Sequence, residues 1–157
     1  MGISSDGQLN YGICFDEEFG FPWNINDDED DIELWWENVL GFKHTLPSPF
    51  DENGNWKKGV EDRKAFYEWN GERDDFMKAN PIPIEMHMHC SYDYPMYIMT
   101  LPKTGFYNSR GDATEIKLHE LNNFHSEIAI ATIKEFCKKY EIESEFKFSW
   151  WLTSLYG

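Results

Sequence analysis

The chain has 157 residues with 29 Asp and Glu against 14 Lys and Arg, a formal charge of −15, and 17% aromatic residues. That length suits one domain, and acidity of this degree argues against direct binding to phosphate backbones. Charges interrupt every apolar stretch before the ~20 residues of a membrane span, and the start, Met1-Gly2-Ile3-Ser4-Ser5-Asp6, lacks the basic and apolar regions of a secretory signal.

The acid is unevenly placed. Residues 1–62 hold 15 carboxylates and three basic side chains, whereas residues 63–157 hold 14 and 11. The three cysteines, Cys14, Cys90 and Cys137, are widely spaced and odd in number. They form neither a disulfide framework nor a CxxC metal motif, which fits a reduced, cytoplasmic protein.

In chain order, Leu9, Tyr11, Ile13 and Phe15 alternate with smaller or polar residues and predict a half-buried strand. A helix is expected over about 31–40, capped by Asp30 or Asp31 and stopped by Gly41. Asn53-Gly54 predicts a tight turn. A second helix is expected over 60–79, ended by Asn80-Pro81.

Ile82, Ile84, Met86 and Met88 predict a strand, with Met96–Leu101 as its hairpin partner across Ser91–Pro95. A further hairpin is expected between 105–108 and 113–117. Ile128, Ala129, Ile133, Phe136, Cys137 and Tyr140 lie on one helical stripe over 124–140. Phe146 and Phe148 open a last strand running into Trp150-Trp151-Leu152. The sum is a single α+β domain, residues 1–157, with a mostly antiparallel sheet and about three helices packed on one face.

Catalytic signatures are missing: the sequence contains no GxSxG, phosphate loop or HExxH. Nor does 51–62 make an EF-hand, since Trp56 stands where the loop needs glycine. No cofactor is expected. His87 and His89 share one face of their strand, as paired metal ligands must, with His119, His125, Asp93 or Asp112 as a possible third ligand. The plainer reading is two polar residues on a strand face. Cys90 adjoins His89 but points to the opposite face, so the two cannot act as a nucleophile and its base.

A more developed feature is an acidic, tryptophan-bearing segment. Asp16, Glu17, Glu18, Asp27, Asp28, Glu29, Asp30, Asp31, Glu33 and Glu37 span a loop and a helix start, with Trp23, Trp35 and Trp36 among them. Spread over a surface, these carboxylates would imitate the charge of DNA, and the indoles would act as binding anchors. Adjacent Trp35 and Trp36 cannot face the same way on a helix, so at least one is expected to be partly exposed.

Three segments carry a resemblance: Gly2–Gly7 with Tyr11-Gly12, His89–Ile98, and Trp151–Gly157. Together they resemble small acidic proteins encoded by bacteriophages and their hosts. The resemblance covers about a fifth of the chain and implies a phage-type accessory protein acting in the bacterial cytoplasm. By analogy it implies an inhibitor of host defence, such as an anti-CRISPR protein or a DNA mimic. The leading expectation is therefore a non-enzymatic protein that docks on a basic host protein or ribonucleoprotein. The alternative is a small metal- or ligand-binding protein, hydrolytic or nucleotide-sequestering, centred on the 87–97 hairpin.

Overall fold

The computed structural model describes residues 5–15, 20–26, 29–57, 63–91, 93, 95–109, 111–124 and 127–156. The chain is α+β. The backbone divides into two compact units. The first joins residues 1–22 to 83–157, and the second is the intervening segment Trp23–Ile82.

The first unit is built on a five-stranded sheet in the order β5-β4-β7-β1-β6. Its strands are β1 (Ser5–Phe15), β4 (Glu85–Ser91), β5 (Pro95–Thr100), β6 (Gly105–Asn108) and β7 (Phe148–Tyr156). β1 and β7 pair antiparallel from Ser5↔Tyr156 to Ile13↔Phe148 and form the longest ladder. The other side of β1 is shared: Gly7–Asn10 pair with β6, and Ile13–Phe15 pair with β5. β4 pairs antiparallel with β5 and touches β7 in parallel at Cys90↔Leu155 and Ser91↔Tyr156. The pairings therefore link β1, β5, β4 and β7 into a ring, a curled sheet with few open edges.

Two glycines permit this curl. A Cβ on Gly12 would collide with the Met99 carbonyl oxygen where β1 changes partner, and one on Gly105 would collide with the Asn10 amide oxygen. Neither site has room for a side chain.

One face of the sheet is apolar. Tyr11, Ile13 and Phe15 are buried there, and Tyr11 lies 5.4 Å from the Trp150 ring. The helix α4 (Glu127–Lys139) buries Ala129, Ile133, Phe136 and Cys137, and its Cys137 Sγ lies 3.7 Å from Met99 Sδ. Four positions of the expected stripe are therefore buried, but Ile128 is exposed, Tyr140 lies beyond the helix, and the helix begins at Glu127. A separate short helix, α3 (Leu118–Phe124), precedes it.

The expected 105–108/113–117 hairpin does not form: residues 113–117 are not strand, and β6 pairs with β1 instead. The last strand begins at Phe148, not Phe146. Phe146 has φ +48°, outside the extended region.

The second unit holds the short strands β2 (Asn24–Asn26) and β3 (Glu29–Asp30) and the helices α1 (Ile32–Leu40) and α2 (Arg63–Ala79). α1 is bounded as the sequence predicts. Asp31 accepts a hydrogen bond from the Leu34 N–H at 2.9 Å, and Gly41 closes the helix at φ +73°. The Asn53-Gly54 turn also forms, with Gly54 at φ +77° and Phe50 bridged to Trp56. The helices number four among the described residues, and only α3 and α4 belong to the sheet-bearing unit. No helix among the described residues is long and apolar enough to cross a membrane.

Candidate functional site

The acidic segment lies in the second unit from residue 23 onward. β2 and β3 pair antiparallel, Asn24 opposite Asp30 and Asn26 opposite Glu29, and Asp31 then caps α1. Glu29 and Asp30 thus belong to a strand rather than to a loose loop. Asp16, Glu17, Glu18, Asp27 and Asp28 fall outside the described residues. Glu33 and Glu37 sit one turn apart on α1 and share one cation: Arg73 of α2 lies 3.3 Å from Glu33 and donates from Nε to Glu37.

Burial of Arg73 alone would favour its neutral form. The hydrogen bond and charge of Glu37, with Glu33 and Asp31 behind it, outweigh this and push its pKa up. Glu37 is buried, so two carboxylates of the expected surface are engaged within the unit.

The tryptophans correct the expectation more sharply. Trp23, Trp35 and Trp36 are 4%, 9% and 7% exposed. Trp23 and Trp35 meet edge to face at 5.3 Å, which covers one side of α1. Trp36, about 100° round the helix from its neighbour, donates its indole N–H to the Asn80 carbonyl at 2.9 Å. The two neighbouring rings also lie 5.9 Å apart, so each helps to cover the other. All three indoles are buried, where at least one of Trp35 and Trp36 was expected to be partly exposed.

In the first unit, His87 and His89 share a strand face, as the alternation requires, but that face is interior. Asn10 and Thr100 have no exposed surface, and Gln8, His87 and His89 are under a tenth exposed. The hydrogen bonds assign the His87 tautomer. Thr100 Oγ1 donates to the Leu101 carbonyl at 2.9 Å, so it accepts from His87 Nε2, also at 2.9 Å. Nδ1 is then the acceptor for the Tyr107 hydroxyl. Burial lowers the pKa of both histidines, although the nearby Glu85 carboxylate works against this at His87. Burial and Glu85 push the Tyr107 hydroxyl up to about 12.

A thiol completes the far end of this interior. Cys14 Sγ lies 3.7 Å from His89 Nε2. The strand pattern shows that Cys14 shares a face with Asn10 and Gly12. That His89 sits on the same face across β5 is a matter of non-local pairing, which sequence spacing does not reveal. An open cleft of about 1640 Å³ reaches this end and includes Cys14, Met96 and Trp151 in its lining.

The proposed third metal ligands stand apart from this interior. Asp93, Asp112 and His119 are exposed, and His125 is outside the described residues. Among the described residues no group of three or more His, Cys, Asp or Glu is arranged to hold a metal ion. No protein-family model, curated protein or solved structure matches the chain.

Proposed function

We propose that this protein is a non-enzymatic, phage-type inhibitor that binds a basic nucleic-acid-handling or host-defence protein in the bacterial cytoplasm. Its contact surface is the acidic side of the unit Trp23–Ile82. That unit carries 15 Asp and Glu against seven Lys and Arg. The observation that carries the proposal is the backbone support of residues 29–31. Glu29 and Asp30 pair with β2, and Asp31 caps α1. Carboxylates fixed to a scaffold lose less freedom on binding than those on a tail. The buried indoles contribute by stiffening that scaffold, so recognition rests on charge.

The test is affinity capture from bacterial lysate on the immobilised protein, followed by association kinetics with the captured species. Asp27, Asp28, Asp30 and Asp31 are changed together to Asn, which keeps the helix cap because Asn caps as well as Asp. The on-rate should fall at least tenfold and should also fall between 50 and 300 mM salt. An unchanged on-rate in the variant rejects the proposal.

A second reading, a ligand-binding protein centred on the 87–97 hairpin, has one observation in its favour: the cleft beside Cys14 and Met96.

A further inference from the structure

Cys14 and His89 meet where the polar interior of the curled sheet opens onto the cleft. β1 delivers the thiol, and β4 delivers the imidazole. β5 lies between them, with Cys14 opposite Ile98 and His89 opposite Met96. The Sγ to Nε2 separation of 3.7 Å is within hydrogen-bonding reach for sulfur. Cys14 is partly exposed and lines the cleft, whereas His89 is 9% exposed and sits behind it. A nucleophile at a cavity wall with a base behind it is the arrangement that thiol chemistry requires.

The cleft also restricts what can reach the thiol. Lys134, Lys138 and Lys147 are matched by Glu141, Glu143 and Glu145, so it has no net charge to gather an ion. Phe146 and Trp151 add apolar wall beside Met96. The favoured visitor is neutral and partly apolar.

We propose that Cys14 is a nucleophilic modification site, with His89 as its base, for a small neutral α,β-unsaturated carbonyl compound held in the cleft. The thiol proton passes to His89 Nε2, and sulfur bonds to the β carbon as the C=C electron pair moves onto the carbonyl. The α carbon then takes the proton back from His89. One S–C bond and one C–H bond form, the C=C π bond and the S–H bond are lost, and nothing leaves. Burial keeps His89 neutral at pH 7, so a nitrogen lone pair is available for the thiol hydrogen.

The other two cysteines serve as internal controls. Cys137 has no exposed surface, and its thiol is pushed up to about 11 by burial. Cys90 is partly exposed, and its φ of +75° departs from the extended strand.

The experiment is timed labelling of the folded protein with N-ethylmaleimide at pH 7, with each cysteine quantified by peptide mass spectrometry. Cys14 should label at least tenfold faster than Cys90, with Cys137 slowest. His89→Gln should slow Cys14 at least tenfold, short of the ~10²–10⁴-fold typical of full general-base catalysis, and leave Cys90 unchanged. The proposal is overturned if Cys14 is no faster than Cys90 in the wild-type protein. It is equally overturned if His89→Gln leaves Cys14 as fast or makes it faster, which would mark the imidazole as a shield. Should that variant unfold, seen as rapid labelling of Cys137, the wild-type comparison decides alone. Because Cys14 lies in the other unit, Cys14→Ala should still capture the proposed basic partner, so the two readings fail separately.

Discussion

Arg73 donates from Nε to the buried carboxylate of Glu37 and so fastens α2 to α1 inside the second unit. The same guanidinium reaches Glu33 at 3.3 Å. Removing it leaves Glu37 buried without a cation. Arg73→Ala should therefore cost about 2 kcal/mol, between the ~1 of an exposed pair and the ~3 of a fully buried one, because the Arg73 side chain is 30% exposed. Urea unfolding checks this through the midpoint. Adding Glu37→Gln should recover part of the loss, because the isolated charge is then gone. Additive losses would show that the pair is not coupled.

Acid should weaken the fold through the sheet interior. His87 and His89 have folded-state pKa values below the ordinary 6.5, because burial disfavours their charged forms. Well above pH 6.5 both are neutral folded or unfolded and have no effect on the pH slope, which sets in as pH approaches 6.5 and the unfolded imidazoles begin to protonate. As pH falls below 6.5 the unfolded chain binds protons that the folded chain refuses, so stability drops toward the lowered folded values. Denaturation midpoints at pH 7.5, 6.5 and 5.5 should fall in that order. His89→Gln should flatten the slope. An equal midpoint at pH 7.5 and 5.5 would contradict the burial argument.

These two relationships also mark where sequence reading succeeds and stops. α1 was legible in full, because Asp31 and Gly41 are local signals that act within one turn of the helix they bound. The β4–β5 hairpin and most of the α4 stripe were legible for the same reason, since their patterns span neighbouring residues, although Ile82 and Ile84 precede β4 and Ile128 is exposed. The partner of β6 was not: the pairing of Gly105–Asn108 with Gly7–Asn10 joins segments about a hundred residues apart, and no turn signal encodes it. The insertion of a second unit between β1 and β4 is hidden likewise. Trp35 and Trp36 show the limit within one helix. Periodicity separates their directions correctly, but only tertiary packing supplies a cover for each.

Gly12 should tolerate substitution less well than Gly105. A Cβ at Gly12 meets backbone, the Met99 carbonyl, at the point where β1 passes to its β5 partner. One at Gly105 meets the Asn10 side chain, which can rotate, although Asn10 has no exposed surface. Gly12→Ala should cost about 3 kcal/mol, the upper range for overpacking. Gly105→Ala should cost roughly half that. Thermal melting orders them, the Gly12 variant melting lower by several degrees. The reverse order would mean that the strand exchange at Gly12 yields more easily than the Asn10 side chain.

The tryptophans offer the sharpest separation between stability and recognition. As interior residues they should affect folding and leave the surface charge untouched. Trp36→Phe keeps most of the ring but strands the Asn80 carbonyl, an expected loss of about 1–2 kcal/mol. Trp35→Ala empties the space beside Trp23 and should cost about 3–5 kcal/mol. Under conditions where each variant remains folded, the on-rate for the captured basic partner should match that of the wild-type protein. A folded Trp36→Phe protein with a tenfold slower on-rate would place that indole in the contact and return it to the role of anchor. Equal on-rates, with lower melting temperatures in both variants, would leave binding to the carboxylates alone.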